Sequence, residues 1–228
     1  MKPRIKLASA LTPDGGEMVL YQHGRDFYIM INGLDLMNSR QHESELDLAR
    51  FGCAHLTGRK APSILIGGLG MGYTLRQALN ILDPNAEILV GELLDDVVEW
   101  NRKFLGVLNG QPLKDKRVDI EIGDIVELIS RSRSSFDAIL LDIDNGPNAM
   151  TDSGNQRLYG REGIQACHRA LRDQGCLSLW SAEPSKKFEQ ILKGCNFHVR
   201  RFRASAYKGS KSRSRFVWVA SKNKIIRE

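Results

Sequence analysis

The sequence predicts an α/β protein with a mostly parallel sheet, an antiparallel pair of strands at its C-terminal end and a small β appendage at its N-terminal end. From Ser63 onward, short apolar runs alternate with amphipathic helical patterns, which is typical of repeated strand–helix units. The last two strand-like segments have no helix between them. The first 35 residues contain turn signals and strand-like segments instead of a helical period.

Size and composition favour a globular protein. The 228 residues suit one α/β domain with a small appendage. No apolar run approaches the ~20 residues of a membrane span, and the N-terminal segment lacks the apolar stretch of a secretory signal. We therefore expect a cytoplasmic protein without membrane contact.

The five histidines are scattered and give no support for a metal site. The cysteines are far apart and are expected to be reduced core residues: Cys53, Cys167, Cys176 and Cys195.

The chain has a formal net charge of +6. One interpretation of this excess is nucleic-acid binding. The other is a solvated basic face, or the attraction of an anionic small substrate, and we favour it because no aromatic-interleaved RNA motif is present. Much of the excess lies late in the chain, at Lys186, Lys187, Lys193, Arg200, Arg201, Arg203, Lys208, Lys211, Arg213 and Arg215.

The N-terminal region, residues 1–58, is predicted to contain a β-hairpin and a connecting helix. Strands are expected at residues 17–21 and 26–31, and Asn32-Gly33 is a strong hairpin signal. A helix is predicted over residues 39–56, with Ser39 or Ser44 as its N-cap.

Residues 59–228 are predicted to form the second unit, a Rossmann-like α/β domain. Its predicted strands cover residues 64–66, 87–90, 118–122, 137–141, 176–180, 197–204 and 215–221. Its predicted helices cover residues 74–82, 95–104, 125–130, 161–171 and 185–193, with a loop over 144–155.

Four glycines follow the first strand of this unit, at Gly67, Gly68, Gly70 and Gly72. Glycine adopts positive φ, and without a Cβ it lets a ligand lie against the backbone. A strand, a glycine turn and a helix N-terminus together predict a nucleotide site. Glycines are also common in ordinary turns, so this interpretation depends partly on the residues that follow the neighbouring strands.

Three carboxylates follow predicted strands. Glu92 lies 20 residues after Gly72 (92 − 72), where such folds keep an acid for ribose hydroxyls. Asp124 is placed either to accept from an adenine amino group or to cap a helix, or to do both. Asp142 directly follows the apolar run of residues 138–141, so desolvation would raise its pKa and suit it to a general base. The alternative role for Asp142 is ordering the following loop. Asp144 comes two residues later.

These residues resemble the class I S-adenosylmethionine-dependent methyltransferases, whose sheet is Rossmann-like. Within that fold they are most similar to the spermidine synthase (aminopropyltransferase) family. The resemblance runs from about Leu34 to Trp180. The family's G-G-G-D-G-G loop corresponds to residues 67–72, its acid after the second strand to Glu92, its Gly-Asp pair to Gly123-Asp124, and its V-D-S-[ST]-D-P-x-G-P segment to residues 141–147.

The resemblance implies a transferase that takes S-adenosylmethionine or its decarboxylated form as co-substrate, without a metal. It implies catalytic roles for Asp142 and Asp144, and an adenosyl site built from Gly67, Gly68, Gly70, Gly72, Glu92 and Asp124. It also implies a small-molecule acceptor, such as a polyamine, and a homodimer. Arg40, His42 and Glu45 begin the helix that borders the family's acceptor pocket; surface or capping roles are the alternative. Tyr159 and Trp180 are candidates for lining the site, with core packing as the alternative for each.

The sequence departs from the family pattern on the acceptor side. Gly70 stands where the family has the aspartate that holds the amine end of the donor, and Asn145 replaces the second aspartate of D-x-x-D. The family's Tyr-His-Glu run is replaced by residues 43–45, Glu-Ser-Glu. We therefore expect aminopropyl or methyl transfer with Asp142 as base or amine orienter. The alternatives are a methyltransferase acting on RNA or another anion, and a non-catalytic adenosyl-binding module.

Overall fold

The computed structural model describes residues 3–143, 157–207, 209–210 and 215–223. The predicted loop over residues 144–155 therefore lies outside the described residues.

Four antiparallel strands form the N-terminal sheet in the order β1-β2-β3-β4. They are β1 (Ile5–Leu11), β2 (Glu17–His23), β3 (Asp26–Ile31) and β4 (Leu34–Asn38). The hairpin predicted at Asn32-Gly33 is confirmed, with φ values of 49° and 79° that suit a tight turn between β3 and β4. The prediction missed both edge strands, because β1 and β4 mix polar residues into short, largely exposed segments.

Helix α1 (Glu43–Cys53) begins four residues later than predicted and continues as a 3-10 turn over Ala54–Leu56. Its N-cap residue is His42, and no described side chain caps the helix, so the predicted serine caps are wrong. Ser39 Oγ instead accepts a 2.9 Å hydrogen bond from the Phe27 amide. Ser44 lies inside the first turn, where its hydroxyl donates to Glu45 at 2.7 Å.

The main sheet has seven strands in the order β10-β11-β9-β8-β5-β6-β7. Strands β5 to β9 are parallel, and β11 runs antiparallel between β9 and β10, which confirms the predicted fold class. The strands are β5 (Ser63–Gly67), β6 (Glu87–Glu92), β7 (Val118–Ile122), β8 (Phe136–Leu141), β9 (Leu171–Ser181), β10 (His198–Ala204) and β11 (Arg215–Ser221).

Five further helices connect these strands and pack on the sheet. They are α2 (Tyr73–Ile81), α3 (Asp95–Lys103), α4 (Ile125–Arg131), α5 (Arg161–Ala170) and α6 (Lys186–Gly194), with 3-10 turns at Leu105–Leu108 and Pro112–Lys114. Their ends lie within one residue of the prediction.

Both faces of the main sheet are buried, as expected of a parallel sheet. Along β5, Ile64 and Ile66 point into the core that α1, α2 and α3 cover, while Leu65 points into the core beneath α4, α5 and α6. Helix α1 packs so closely that a Cβ added at Gly52 would lie 2.3 Å from Leu140 Cδ2. The helix therefore packs on the main sheet, and the unit boundary at residue 58 stays a prediction.

The four cysteines are buried and carry free thiols, as predicted. Within residues 3–143, 157–207, 209–210 and 215–223, no helix is long and apolar enough to cross a membrane. The same part of the chain contains no group of three His, Cys, Asp or Glu side chains that could hold a metal ion.

Candidate functional site

The glycine loop connects β5 to α2 at the carboxyl edge of the main sheet. Gly68, Gly70 and Gly72 have φ values of +88°, +51° and +81°, a region that side chains with a Cβ rarely adopt. At Gly68 space is also limiting, since an added Cβ would lie 2.4 Å from the Asp142 carbonyl oxygen. The glycines thus let the loop turn sharply while touching the segment that follows β8.

Two asparagines hold the loop from the side of α3. Asn101 Nδ2 donates to the Gly70 carbonyl at 2.8 Å, and Asn109 Nδ2 donates to the Met71 carbonyl at 2.9 Å. Sequence reasoning missed both residues. Asn101 could have been noticed in the sequence, because it is a polar residue one turn after Val97 on the buried face of α3.

Glu92 ends β6 and is 8% exposed. One carboxylate oxygen accepts from the Leu69 amide at 2.8 Å and the other from the Leu94 amide at 3.0 Å. Burial raises the pKa of Glu92, and the backbone hydrogen bonds act in the opposite direction. The Glu92 carboxylate thus anchors the glycine loop, and the contact with ribose hydroxyls stays a prediction.

Asp124 lies on the same edge, after β7. It is the N-cap of α4, where it accepts from the Val126 amide at 2.7 Å, and its other oxygen pairs with Arg157 at 3.2 Å. The capping role predicted as one of two is therefore present, and the contact with an adenine stays a prediction.

Two exposed apolar side chains lie between these acids along the chain. Leu93 follows Glu92 and is 47% exposed, and Ile122 precedes Gly123 and is 46% exposed. Ile122 is the register partner of Glu92 across β6 and β7. Sequence reasoning missed this apolar rim, because single apolar residues at strand ends are usually core residues.

Asp142 follows β8 and its amide donates to the Gly67 carbonyl at 2.8 Å. The Thr74 hydroxyl, in the first turn of α2, donates to Asp142 Oδ2 at 2.6 Å. Burial raises the pKa of Asp142 above the ordinary aspartate range, and the hydrogen bond from Thr74 acts in the opposite direction. The carboxyl group of Asp142 thus lies beside the glycine loop with a raised pKa, as its position directly after an apolar strand led us to expect.

Glu45, in α1, contacts the same threonine hydroxyl as Asp142, through its backbone carbonyl. The Thr74 hydroxyl lies 3.3 Å from the Glu45 carbonyl oxygen, and Ser44 Oγ donates to Glu45 Oε2 at 2.7 Å. Burial raises the pKa of Glu45, with the negative charge of Asp142 as the second cause. Thr74 was not among the residues singled out from the sequence, since a threonine in a helix carries no distinctive signal.

The other predicted residues occupy different surroundings. Arg40 and His42 line a cleft of about 590 Å³ between the N-terminal sheet and α1, together with Tyr28, Asp35, Asn38, Gln41, Glu43 and Tyr207. The His42 ring stacks on Tyr73, with ring centroids 4.1 Å apart. Tyr159 is buried, and its hydroxyl donates to the Ile143 carbonyl at 3.0 Å. Asp144 lies outside the described residues.

Trp180 is partly buried at the end of β9, against the core of α1 to α3. Gly70, where the family has an aspartate, is covered by Met37 of β4. A Cβ at Gly70 would lie 2.9 Å from Met37 Cε, so the N-terminal sheet reaches the glycine loop at this position.

The chain is similar to curated enzymes over part of its length. It is 28% identical over 127 residues to a polyamine aminopropyltransferase of Saccharolobus solfataricus, covering 56% of this chain and 41% of that protein. It is 32% identical over 131 residues to a polyamine aminopropyltransferase of Nitrosomonas europaea, covering 56% of this chain and 37% of that protein. The chain therefore matches about two fifths of the length of these relatives.

Solved structures share the fold over almost the whole chain. Spermidine synthase from Thermotoga maritima superimposes with a TM-score of 0.73 at 19% identity, covering 96% of this chain and 73% of that one. A spermidine synthase in complex with the transition-state analogue AdoDATO gives 0.74 at 20% identity, covering 96% and 74%. The family model of the spermine/spermidine synthase domain matches residues 47–206, from α1 to beyond β10. The chain therefore belongs to the spermine/spermidine synthase domain family.

Proposed function

We propose that the protein transfers the aminopropyl group of decarboxylated S-adenosylmethionine to an amine acceptor. The observation that carries this proposal is the position of Asp142, a desolvated carboxyl group held by Thr74 directly beside the glycine loop. Family membership and relatives named polyamine aminopropyltransferases support the same reaction class.

The donor's adenosyl part fits the edge formed by the glycine loop, Glu92 and Asp124. Glycines at positive φ leave the loop backbone free of side chains, which suits close approach of a nucleoside. Glu92 would accept from the ribose hydroxyls, and the exposed Leu93 and Ile122 would cover the apolar faces of the purine. Asp124 would accept from the adenine amino group through the oxygen that now pairs with Arg157.

For this transfer the protein has to align the acceptor amine with the donor and remove a proton from the amine. The acceptor amine arrives as an ammonium ion, and the Asp142 carboxylate takes one of its protons. The amine lone pair then forms a C–N bond to the methylene carbon by which the aminopropyl group is attached to sulfur. The bond between that carbon and sulfur breaks, and its electron pair returns to sulfur. The products are an alkylated ammonium, a neutral thioether and one proton, which leaves from Asp142. Positioning supplies about 7–11 kcal/mol of such a barrier, and a base adds about 10²–10⁴-fold.

The acceptor side suits a cationic amine such as a polyamine. The Asp142 carboxyl group and the buried Glu45, whose pKa the charge of Asp142 raises, would be the nearest acidic groups to such an amine. The cleft that Arg40 and His42 line would extend this site toward solvent, with Asp35 and Glu43 as further carboxylates. A homodimer stays a prediction, which sedimentation of the purified protein would test.

The proposal is tested by comparing donors in parallel reactions. The purified protein is incubated with a diamine and either decarboxylated S-adenosylmethionine or S-adenosylmethionine, and amine products are identified by mass spectrometry. We expect an aminopropylated product from the decarboxylated donor only. A methylated product from S-adenosylmethionine would contradict the proposal. Binding of the thioether product methylthioadenosine, without turnover of either donor and any amine, would contradict it in favour of a non-catalytic binding module.

A further inference from the structure

We propose that Asn101 and Asn109 are positioning residues for the donor, because they hold the glycine loop in the one arrangement of its peptide groups that binds the nucleoside. The two side chains are called the asparagine clamp below. The inference deepens the proposed function and rests on it for the place of the nucleoside at this loop. Its structural basis is a pair of side-chain amides that donate to two consecutive loop carbonyls, at 2.8 Å to Gly70 and at 2.9 Å to Met71.

Gly72 is the point where the two asparagine side chains meet. An added Cβ at Gly72 would lie 3.1 Å from Asn101 Oδ1 and 3.2 Å from Asn109 Nδ2. The missing side chain of Gly72 therefore leaves room for two amides of the protein itself. Gly68 and Gly70 likewise turn their missing Cβ atoms toward other parts of the protein. The loop consequently offers a ligand its peptide groups, and their orientation decides which polar atoms the ligand meets.

The loop contains a turn of four residues from Leu69 to Gly72, closed by the Gly72 amide, which donates to the Leu69 carbonyl at 2.8 Å. The peptide in the middle of such a turn, here between Gly70 and Met71, can face either way, and related turn types differ in this orientation. Asn101 fixes the orientation by holding the Gly70 carbonyl on the side of α3. Because the C=O and N–H of a trans peptide point in opposite directions, the Met71 N–H points away from α3. A flipped peptide would present a carbonyl there instead.

The side chain of Asn101 is itself held in one orientation. It is 2% exposed, and its amide nitrogen also donates to the Val97 carbonyl at 2.9 Å, one turn earlier in α3. Exchanging the amide oxygen and nitrogen would place Oδ1 against two carbonyl oxygens, so the hydrogen bonds define which atom is which. The chain folds back after α3 at Gly106, where an added Cβ would lie 2.9 Å from the Asn101 carbonyl oxygen. This return brings Asn109 to the loop.

The asparagine clamp affects donor binding by keeping the loop in its binding-competent arrangement. When only a fraction of a protein is competent, its ligand binds more weakly in proportion to that fraction. If the released peptide keeps the competent orientation in about a tenth to a half of the molecules, the Kd of the nucleoside rises about 2- to 10-fold. Since the clamp acts through the loop, the rate of transfer from the bound donor should change little.

The test uses Asn101→Leu and Asn109→Leu, which remove each amide while keeping much of its shape. Binding of methylthioadenosine is measured by calorimetry, and stability is measured by urea unfolding. The control is Asp137→Ala, which removes a buried carboxyl group near the start of β8, at the opposite end of that strand from Asp142. Because this control also destabilises the protein, it shows what a loss of stability alone does to binding.

We expect the Kd of methylthioadenosine to rise about 2- to 10-fold in each asparagine variant and to stay near the wild-type value in Asp137→Ala. In the ¹⁵N NMR spectrum of the free protein, the Met71 amide signal should broaden or split in Asn101→Leu, because the peptide then samples two orientations. Wild-type Kd values in both asparagine variants, or a Kd raised equally by Asp137→Ala, would overturn the inference. Asn109→Leu decides the question if Asn101→Leu fails to fold, since Asn109 is only partly buried.

These measurements separate the asparagine clamp from the proposed function, because neither needs turnover. Weaker nucleoside binding and an altered Met71 signal in the variants, without transfer to any amine by the wild type, would contradict the proposed function and leave the clamp intact. Transfer by the wild type, with nucleoside binding that does not depend on the asparagines, would contradict the clamp alone. In the active protein, Asn101→Leu should raise KM for the donor and leave kcat nearly unchanged. A lower kcat with an unchanged KM would overturn the inference.

Discussion

The Thr74 hydroxyl donates a 2.6 Å hydrogen bond to Asp142 Oδ2, which joins the first turn of α2 to the segment that follows β8. Thr74 comes two residues after Gly72, so the glycine loop and the carboxyl group beside it are positioned by the same turn of helix. A threonine hydroxyl is a neutral donor that favours the ionised form of a carboxyl group. The proton affinity of Asp142 therefore depends on Thr74.

Replacing Thr74 by Val removes this donor while preserving the shape of the side chain. The pKa of Asp142 should rise, because its charged form loses a hydrogen bond, and the acidic limb of kcat/KM should move to higher pH by about one unit. Thr74→Ser should restore the wild-type profile. The measurement is the pH dependence of kcat/KM for the amine, and an unchanged limb in Thr74→Val would show that the hydrogen bond does not tune Asp142.

Gly68→Ala tests the contact between the glycine loop and the segment after β8. The substitution should cost about 1–2 kcal/mol for a side chain at φ +88°, and about 1–3 kcal/mol more because its Cβ would lie 2.4 Å from the Asp142 carbonyl. Gly58→Ala is the matched control, since Gly58 has φ +79° and no described atom within 4 Å of an added Cβ. Urea unfolding measures both variants, and equal losses of stability would contradict the close approach.

Strand β8 carries a second aspartate, Asp137, near its start and far along the strand from Asp142. Asp137 is 2% exposed, accepts from the Ser63 amide at 2.8 Å, and pairs with Arg59 at 2.7 Å and Arg172 at 2.8 Å. Asp137→Ala should destabilise the protein by about 1–3 kcal/mol, since it leaves a buried amide and two arginines without their acceptor. Glu99→Ala, which removes an exposed partner of Arg102 and Lys103, should change the urea midpoint much less. Similar midpoints for the two variants would contradict a structural role for Asp137.

The buried position of Glu45 predicts a pH-dependent contribution to stability. Burial raises its pKa from 4.5 to about 8, so between these values the folded chain binds more protons at this site than the unfolded chain. Its contribution to stability therefore falls as the pH rises through that window. Glu45→Gln should gain stability relative to the wild type between pH 5 and pH 8, measured by urea unfolding at both values, since glutamine does not ionise. A constant difference between the two proteins would contradict the shifted pKa.

Most of the main sheet is predictable from local sequence patterns. Strand β7 matches its predicted residues, and the antiparallel edge formed by β10 and β11 follows from two strands without a helix between them. Asp142 is predictable too, because a carboxylate directly after a buried strand must lie at the carboxyl edge of the sheet. These features depend on the alternation of strands and helices along the chain and on where each strand ends, and both are specified by residues close together in the sequence.

The features that local patterns do not specify arise from tertiary contacts. Strand β9 begins at Leu171, directly after α5, because Leu171 pairs with Phe136; the polar residues that follow hide this start from the sequence pattern. The contact of the Thr74 hydroxyl with the Glu45 carbonyl oxygen depends on how α1 packs against α2. Met37 over Gly70 likewise depends on where the N-terminal sheet lies. Such contacts produce no periodic pattern of apolar residues in the local sequence.

The most direct measurement of the central claim is product formation by the wild type and by Asp142→Asn. Each is supplied with decarboxylated S-adenosylmethionine and a diamine, and the aminopropylated amine and methylthioadenosine are quantified together, with methylthioadenosine binding measured by calorimetry. The account predicts equal amounts of the two products from the wild type, a loss of about 10²–10⁴-fold in kcat for Asp142→Asn, and unchanged nucleoside binding. Wild-type turnover that Asp142→Asn retains in full would contradict the assignment of Asp142 as the base.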